Sequence, residues 1–510
     1  MLSKTFSAAL LGIDAYLVEV EVDVARGAER TVVVGLPDAA VKESLDRVRS
    51  AIANSGFFQP QNHAVVNLAP ADTRKEGPAF DLPIAIGMLT SDNQLEPARA
   101  SQYACTGELA LEGLARPVRG CLSMAMECQA RGLKGLILPE PNAREAAVVR
   151  GIDIIPVKTL SEAAGFISGK LDIPPQQVDI AAILEEDVQA ELDFSDVKGQ
   201  EHVKRALVVA AAGHHNILMI GPPGAGKTML AKRIPRILPP LLEQEALETT
   251  RVHSVSGLLP PGRALVVARP FRAPHHTSSA AALVGGGSVP KPGEVSLAHK
   301  GVLFLDELPE FSRVALEALR QPLEEGTVTI SRALMRLTFP AEIMLVAAMN
   351  PCPCGYFSDP RRKCHCTPIE VQRYIGRISG PLLDRIDIHV EVPAVNYREL
   401  KSGDGGMTSQ QVRELVRAAR ARQAARFAGT RVSANAAMSP RMIKQHCTLD
   451  AACESLLEQA MTALGLSARA YTRILKVART IADLEGAESI AAYHISEAIN
   501  YRSLDRSMWR

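Results

Sequence analysis

Hydrophobic and polar residues alternate in the first third of the chain. From Tyr16 to Val24 every second residue is apolar, and this period of two indicates a half-buried β-strand. Residues 31–35 and 63–67 form further short apolar runs, and residues 39–55 are patterned as an amphipathic helix. The mixture predicts an α+β domain over residues 1–168.

Near-continuous apolar runs replace this alternation further along the chain. They lie at residues 217–220, 302–305 and 343–349. Strands that are covered on both faces of a parallel sheet have this pattern, so we expect an α/β domain over residues 192–395. A linker is predicted at 169–191. Residues 396–510 are patterned as helices without a convincing strand, which predicts a C-terminal helical domain.

Composition excludes several protein classes. The chain has 510 residues, of which 47% are hydrophobic and 22% charged, so it is neither disordered nor fibrous. No apolar run reaches the roughly 18 residues of a membrane span, and four of the nine cysteines crowd into residues 352–366, unlike a secreted disulfide framework. We therefore expect a cytoplasmic protein without a membrane partner. Residues 401–510 carry 16 basic and 10 acidic residues, a local excess of positive charge.

A phosphate-binding loop is the strongest chemical signal. Residues 221–228 read GPPGAGKT, follow a predicted strand and lead into a helix, which is the context that a P-loop requires. Backbone N–H groups of such a loop bind phosphate oxygens, Lys227 would reach the β- and γ-phosphates, and the Thr228 hydroxyl would bind Mg²⁺. The alternative is a glycine turn that only connects strand to helix. The predicted nucleotide-binding residues are Gly221, Pro222, Pro223, Gly224, Ala225, Gly226, Lys227 and Thr228.

Polar residues end two further apolar strands. Asp306 and Glu307 follow residues 302–305, where Asp306 would help to bind Mg²⁺ and Glu307 would polarise the attacking water. Asn350 follows residues 343–349 and would position that water; alternatively, it caps the next turn.

These motifs together resemble an AAA+ ATPase. More specific phrases lie at residues 271–277 (FRAPHHT), 292–299 (PGEVSLAH) and 350–355 (NPCPCG). They resemble the magnesium-chelatase-like family called YifB or ComM, and the likeness runs over essentially the whole chain. The expected fold is an α/β multidomain protein with a Lon-protease-like α+β N-domain, an AAA+ P-loop core of α/β/α type and a C-terminal helical lid.

The resemblance implies a ring, a homo-hexamer with ATP and Mg²⁺ between subunits. Arg385 matches the position of an arginine finger that acts on the neighbouring subunit's nucleotide. Arg469 matches the second sensor position, with Arg473, one helical turn further on, as the competing choice. Either of these last two residues is alternatively a solvated arginine on a basic helix.

Two predicted loop regions carry basic residues that would contact DNA. Residues 285–293 are rich in glycine and include Lys291, and residues 325–332 with 336–340 are patterned as a β-hairpin that carries Arg332 and Arg336. In related ATPases, insertions at these places face the central pore. Phosphate contacts of this kind do not depend on base sequence, so we expect single-stranded and branched DNA as partners. Ordinary surface charge is the alternative.

Four cysteines are grouped on one predicted loop. Cys352, Cys354, Cys364 and Cys366 would form a structural zinc site, although their C-x-C spacing is tighter than usual. The alternative is four reduced cysteines in a turn.

The N-terminal region resembles the proteolytic domain of Lon but lacks its catalytic pair. Ala79 stands at the position of the serine nucleophile, and the lysine position falls near Met124. Neither side chain supports nucleophilic catalysis, so no peptidase activity is expected and the domain would assemble the ring or hold a partner.

The function that these features predict is an ATP-dependent DNA motor. The resemblance implies branch migration during natural transformation and homologous recombination, with recombination proteins as possible partners. The first alternative is a magnesium-chelatase-type ATPase that activates or remodels a partner protein, and a second is a regulated scaffold.

Overall fold

The computed structural model divides the chain into two compact units. It describes residues 2–25, 30–58, 63–75, 77–185, 192–287, 289–332, 335–357, 362–395 and 406–504. Unit 1 comprises Met1–Glu186 together with Leu242–Val267, and unit 2 comprises Asp187–Leu241 together with Ala268–Arg510. Two stretches of chain that are distant in sequence therefore build each unit.

Unit 1 contains a seven-stranded mixed sheet, a separate short hairpin and helices. The strands of the unit are β1 Leu2–Leu11, β2 Asp14–Ala25, β3 Thr31–Val34, β4 His63–Ala69, β5 Tyr103–Cys105, β6 Glu108–Leu109, β7 Ala115–Arg116, β8 Gly135–Pro139 and β9 Asp153–Val157. Its helices are α1 Ala39–Asn54, α2 Asp81–Ser91, α3 Cys121–Ala130, α4 Glu140–Ala146, α5 Leu160–Ile167 and α6 Ile180–Glu185, with α10 Glu243–Ser256 from the second segment. The sheet order is β3-β4-β2-β1-β5-β8-β9, while β6 and β7 form a separate short hairpin.

The alternating pattern of the first residues explains the antiparallel part of this sheet. β1 pairs with β2 over ten residues, from Leu2 opposite Asp23 to Leu11 opposite Asp14. In β2, Val18, Val20 and Val22 are fully buried while the glutamates between them are not. A strand with one buried face is expected to alternate in this way.

The segment 242–267 joins unit 1 although it lies between elements of unit 2 in sequence. Ala264 and Leu265 are buried in a core that contains Leu122 and Cys128 of α3, and Leu247 packs against the same core. The stretch predicted as one domain over residues 192–395 is therefore interrupted by a segment that packs in unit 1. Within the predicted linker at 169–191, Ile180 is also buried in this core, so part of that stretch is packed against unit 1.

Unit 2 contains a five-stranded parallel sheet and two separate hairpins. The strands of the unit are β10 Ile217–Ile220, β11 Phe271–Arg272, β12 Gly285–Gly286, β13 Lys291–Pro292, β14 Val302–Leu305, β15 Thr327–Arg332, β16 Met335–Pro340, β17 Met344–Met349 and β18 Ile388–Glu391. The sheet order is β11-β14-β17-β10-β18, and every pairing in it is parallel. β12 with β13 and β15 with β16 form two antiparallel hairpins outside this sheet.

Helices surround the parallel sheet and continue to the end of the described chain. They are α7 Glu201–Gly213, α8 Lys227–Ala231, α9 Ile234–Ile237, α11 Ala280–Val284, α12 Glu294–Leu297, α13 Arg313–Ala318, α14 Arg320–Glu325, α15 Pro368–Ile375, α16 Gly380–Leu383, α17 Ser409–Arg426, α18 Pro440–His446, α19 Ala451–Leu464, α20 Ala468–Glu485 and α21 Ala492–Asn500. Between residues 406 and 504, all of which are described, no strand occurs.

One hydrophobic core joins the parallel sheet to these last helices. It contains Ile217 and Val346 from the sheet together with Val416 of α17 and Ile474 of α20. A buried polar network adds to it. His215 Nδ1 lies 3.1 Å from Asp387 Oδ2, and the same carboxylate pairs with Arg473 of α20. Burial alone would raise the pKa of Asp387, but Arg473 and His215 outweigh this and hold the pKa well below its usual range.

Among the described residues, no helix combines the length and the apolar character that a membrane span needs.

Candidate functional site

Three neighbouring strands of the parallel sheet bring the predicted site residues together. Gly221 follows β10, Asn350 follows β17 and Asp306 follows β14, and these strands are adjacent in the sheet. Because the carboxyl ends of parallel strands meet at one edge, the three positions share that edge. The cavity there has a volume of about 410 Å³ and is lined by Pro223, Gly224, Ala225, Gly226, Lys227, Thr228, Met229, Asp306, Glu307, Met349 and Asn350. Such a volume suits a small-molecule ligand.

The phosphate loop adopts a conformation that depends on glycine. Gly224 and Gly226 have φ angles of 76° and 86°, in the left-handed region that other residues rarely occupy. Gly226 is the N-cap of α8, so the unpaired N–H groups of the first helical turn lie beside the cavity. This is the arrangement in which a helix N-terminus binds phosphate oxygens.

Lys227 connects the loop to Asn350. Its ammonium group donates to the carbonyl oxygens of Gly221 and Pro222, at 2.6 and 3.0 Å, and to Asn350 Oδ1 at 3.1 Å. Burial lowers the pKa of Lys227 to about 8, while Asp306 and Glu307 oppose that shift. Gly221 and Pro222 do not line the cavity themselves; their carbonyl groups hold the lysine that does.

Thr228 and Asp306 form the second part of the site. The Thr228 hydroxyl donates to Asp306 Oδ2 at 2.7 Å, and Asp306 Oδ1 accepts from the backbone N–H of Glu307 at 3.0 Å. A hydroxyl and a carboxylate at hydrogen-bonding distance supply the hard oxygen ligands that Mg²⁺ prefers. These residues therefore fit a magnesium ion.

Glu307 has an unusual backbone and an unexpected partner. Its φ and ψ angles are 52° and 47°, a left-handed conformation that is strained for a residue other than glycine. Its carboxylate Oε2 lies 3.0 Å from His276 Nδ1. His276 belongs to the FRAPHHT phrase, but no spacing in the sequence assigns it to this cavity.

The two predicted arginines lie apart from this cavity. Neither Arg385 nor Arg469 is among its lining residues. Arg385 pairs with Glu324 and its side chain is only 7% exposed. Arg469 Nη1 lies 3.0 Å from Asp384 Oδ2, next to Arg385 in sequence, and Arg473 is held by Asp387. The structure thus brings the arginines to one region of unit 2, but not to the chain's own phosphate loop.

The basic residues predicted to contact DNA lie on two hairpins that pack together. Lys291 is on β13, Arg332 on β15 and Arg336 on β16, and all three are exposed. A β-carbon at Gly286 would lie 3.5 Å from Arg332 Nη2, so the first hairpin touches the second. The structure therefore unites the three side chains on neighbouring exposed hairpins.

The four cysteines of the loop after β17 form a compact cluster. The sulfur atoms of Cys352, Cys354, Cys364 and Cys366 all lie within 4.8 Å of one another. Three of the separations are 3.4, 3.6 and 3.7 Å. Zinc–sulfur bonds of about 2.3 Å in a tetrahedron require sulfur atoms about 3.8 Å apart. The donor set therefore fits a structural zinc ion.

The two positions matched to the Lon dyad differ in burial: Ala79 is half-buried and Met124 is buried. Ala79 lies in a short 3-10 helix, where its carbonyl oxygen accepts from the backbone of Gly107 at 3.0 Å, and Met124 is buried on α3. The neighbouring Ser123 hydroxyl donates to the Ile13 carbonyl oxygen at 2.6 Å. The residues at the two expected dyad positions, Ala79 and Met124, therefore make a backbone hydrogen bond and packing contacts, respectively.

Gln200 is a site residue that the sequence does not reveal. Its side-chain amide donates to the carbonyl of Ala225 in the phosphate loop, at 2.9 Å, and to that of Pro393 at 2.6 Å. A single glutamine before a helix has no distinctive spacing, so only the folded structure shows that it braces the loop.

Comparisons with known proteins identify the family. Residues 193–400 match the profile described as magnesium chelatase, subunit ChlI, residues 20–142 match that of subunit ChlI of Mg-chelatase, and residues 406–502 match the ChlI C-terminal profile. The chain is 46% identical to competence protein ComM of Haemophilus influenzae over 508 residues, which cover 99% of this chain and 98% of that protein.

Two further relatives show how far the similarity extends. The uncharacterized protein YifB of Escherichia coli is 44% identical over 508 residues, 99% of this chain and 98% of that protein. The magnesium-chelatase 67 kDa subunit of Chlorobaculum parvum is 28% identical over 214 residues, 41% of this chain and 28% of that subunit. The chain belongs to the ComM/YifB family of magnesium-chelatase-like AAA+ proteins, and this membership implies ATPase activity.

Proposed function

We propose that the protein is an ATP-driven hexameric motor that moves on DNA and promotes branch migration during natural transformation and homologous recombination. The observation that carries the proposal is the pair of adjacent basic hairpins in the unit that also holds the phosphate loop. The full-length similarity to a protein named for competence supports it.

The residues of the cavity suit ATP hydrolysis. Lys227 would exchange its carbonyl partners for phosphate oxygens, because an ammonium group is attracted more strongly to an anionic phosphate oxygen than to a neutral carbonyl oxygen. Thr228 and Asp306 would hold Mg²⁺, which would neutralise charge on the β- and γ-phosphates when bound. Glu307 would orient and deprotonate the attacking water, and Asn350 would fix the position of Lys227 and of that water.

Arg385 would act as an arginine finger on the nucleotide of a neighbouring subunit, and Arg469 would be the second sensor. Arg385 does not line the cavity of its own chain, which is compatible with a finger supplied to another copy. Arg385 would first have to leave Glu324, which makes completion of the site dependent on the interface between subunits. The proposed ring would thereby couple hydrolysis in one subunit to the position of the next.

Lys291, Arg332 and Arg336 would contact the phosphates of the DNA backbone. Their side chains are exposed on hairpins, and backbone contacts confer affinity without base specificity. The cysteine cluster would hold a structural zinc ion with four protein ligands, leaving no position for a reacting group. Residues 1–168 would form a Lon-like domain that serves assembly or partner binding, and residues 396–510 would form the lid.

Hydrolysis and junction movement should be measured together. The wild-type protein is assayed without DNA, with single strands and with a branched junction, and Lys227→Ala and Glu307→Gln serve as variants. Stimulation by DNA with junction movement, both lost in Lys227→Ala, is expected, and Glu307→Gln should bind ATP without turnover. ATP hydrolysis that ignores DNA and leaves the junction in place would overturn the motor proposal.

A magnesium-chelatase-type activator is the second candidate, because the ChlI profiles and the 67 kDa subunit match the chain. In that case hydrolysis would be stimulated by a partner protein and not by DNA.

A further inference from the structure

We infer that Asp387 is a positioning residue for Arg385, because it fastens the turn that carries this arginine to helix α20. The inference rests on the proposed function, since it takes Arg385 as the finger that acts on a neighbouring nucleotide. Asp387 lies two residues after Arg385, and its side chain is only 1% exposed. A carboxylate buried so deeply inside its own chain influences a nucleotide of another subunit only through Arg385.

Two arginines of α20 pair with carboxylates on either side of Arg385. Arg469 Nη1 lies 3.0 Å from Asp384 Oδ2, and these side chains are 68% and 33% exposed, so this pair contributes little. One helical turn further on, Arg473 pairs with Asp387, and the Arg473 side chain is 23% exposed. Loss of one partner of a buried pair leaves an uncompensated charge, so the second pair is the one that holds the turn.

His215 binds the other oxygen of the same carboxylate. Its Nδ1 lies 3.1 Å from Asp387 Oδ2, and its Nε2 lies 2.8 Å from Oγ1 of Thr480, a further residue of α20. The ring is fully buried, and a β-carbon at Gly213 would overlap with it, so the ring has little room to move. Helix α20 is therefore tied to Asp387 at two points, directly by Arg473 and through His215 by Thr480.

The parallel sheet holds the backbone of the same turn. Asn216, which precedes β10, donates from Nδ2 to the Arg385 carbonyl oxygen at 2.9 Å. Its own carbonyl oxygen accepts from the backbone N–H of Asp387 at 3.0 Å, and its Oδ1 accepts from the N–H of Leu345 on β17 at 2.8 Å. The turn thus has two anchors, the sheet and α20, and Asp387 is bonded to both.

This placement matters because a finger acts only at short range. A displacement of 1 Å at a positioned group can cost about 10² in rate. Without Arg473, the Asp387 carboxylate keeps His215 but loses its charged partner, and the link between the turn and α20 is weakened. Arg385 would then be presented to the neighbouring site less accurately, while the phosphate loop of its own chain stays intact.

The test measures steady-state ATP hydrolysis and equilibrium binding of a fluorescent ATP analogue by full-length variants. Arg473→Ala should lower kcat about 10- to 100-fold with nucleotide affinity unchanged. Arg473→Lys keeps a positive charge beside Asp387 and should restore most of the turnover. Where Arg473→Ala does not assemble, Arg473→Gln, which removes the charge but keeps N–H donors, is measured in its place with the same expectation.

Arg426→Ala is the matched control. Arg426 also pairs with a fully buried aspartate, Asp483, which keeps Arg479 as a second partner, as Asp387 keeps His215. Both substitutions should therefore lower the melting temperature, but Asp483 lies far along the chain from the turn of Arg385. Arg426→Ala should keep the wild-type kcat at temperatures where it is folded.

Two further measurements separate positioning from a merely structural role. In the Arg385→Ala background, Arg473→Ala should cause no additional loss of kcat, because its effect passes through Arg385. Mixed rings of Arg473→Ala and Lys227→Ala subunits should recover activity, because the Lys227→Ala subunits present a correctly held Arg385 to the intact phosphate loops of the others. A misfolded subunit would not be rescued in this way.

An unchanged kcat in Arg473→Ala, or an equal loss in Arg426→Ala, would overturn the inference. An additional loss in the Arg385→Ala background would also overturn it, because Arg473 would then contact the nucleotide itself. If Arg385→Ala alone hydrolyses ATP at the wild-type rate, the finger assignment fails and the inference fails with it. Slow hydrolysis by Arg385→Ala beside unimpaired Arg473→Ala would keep the finger and remove only the positioning role.

Discussion

Gly355 lies against Pro223, so closely that a β-carbon at Gly355 would come within 2.5 Å of Pro223 Cδ. Pro223 lines the cavity, and Gly355 directly follows Cys354 of the cysteine cluster. A β-carbon at Gly355 would also lie 3.8 Å from Cγ of Asn350, the residue whose side chain accepts a hydrogen bond from Lys227. The cysteine-rich loop therefore packs directly against the phosphate loop, and its conformation bears on the nucleotide site.

Gly355→Ala should weaken ATP binding. The added methyl group meets the ring of Pro223, and the φ of +86° strains any residue with a β-carbon. We expect KM for ATP to rise about three- to tenfold, which corresponds to roughly 1 kcal/mol of binding free energy. The melting temperature should change little. Gly429→Ala is the matched control, since Gly429 has a φ of +78° but no atom within 4 Å of a β-carbon. Equal effects of both substitutions would show that backbone strain, not the contact, is responsible.

Removal of zinc should affect the same site. The purified protein is expected to contain about one zinc ion per chain, as a Cys₄ site requires, and Cys364→Ser should reduce that content strongly. Chelation should lower the melting temperature and raise KM for ATP, because the loop that holds Gly355 loses its cross-link. Zinc, but not magnesium, should restore both values after chelation. Protein that binds no zinc and is indifferent to chelators would contradict the assignment.

The sequence predicts those parts of the site that depend on local pattern. The apolar runs of β10, β14 and β17, the phosphate loop and the carboxylates of Asp306 and Glu307 are each predictable from neighbouring residues, and the structure brings them to one edge. The predicted hairpin at 325–340 is likewise confirmed by β15 and β16. A strand followed by a glycine-rich turn and a helix needs no distant residue to be recognisable.

Contacts between distant residues are not predictable in this way. The buried residues of helix α10 include Thr249 and Thr250, so its sequence shows no clear apolar face and does not say that Leu247 packs on the core of unit 1. His276 and Glu307 are 31 positions apart, and a lone histidine carries no spacing signal. The pairing of Arg473 with the buried Asp387 is a further example, because its energy depends on burial that only the tertiary fold creates.

The stability of unit 2 should depend on Asp193 at low pH. Partial burial raises the pKa of Asp193, but hydrogen bonds donated by Ser195 and Ser409 outweigh this and lower the pKa to about 2. Since the pKa of an aspartate in the unfolded chain is about 3.9, the contribution of this carboxylate to the free energy of unfolding is present above pH ~4 and is lost as pH falls toward 2. Asp193→Asn should therefore lower the melting temperature at pH 6, with a difference that narrows toward pH 3. A difference in melting temperature between the two proteins that does not change with pH would contradict the lowered pKa of Asp193.

Arg385→Ala should bind ATP and turn it over poorly. An arginine finger supplied by a neighbour contributes about 10³–10⁵ to the rate in GTPases, so a loss of at least about 10²-fold in kcat is expected with little change in ATP affinity. Mixed rings with Lys227→Ala subunits should recover part of the activity, because each variant supplies what the other lacks. Arg377→Ala, which removes another arginine paired with a glutamate, is the control. Without recovery in mixed rings, action in trans is excluded.

Removal of the hairpin charges should change the salt dependence of DNA binding. Combined substitution of Lys291, Arg332 and Arg336 by alanine should weaken single-strand binding and reduce the slope of log K against log salt by about 2, since each phosphate contact contributes about 0.7. The control replaces Arg431, Arg441 and Lys444, three exposed basic residues of the C-terminal region, by alanine. Both triple variants lose the same charge, so long-range attraction falls equally in each, and only direct contacts distinguish them. Identical slopes in the two variants would show that the hairpins do not touch the DNA backbone.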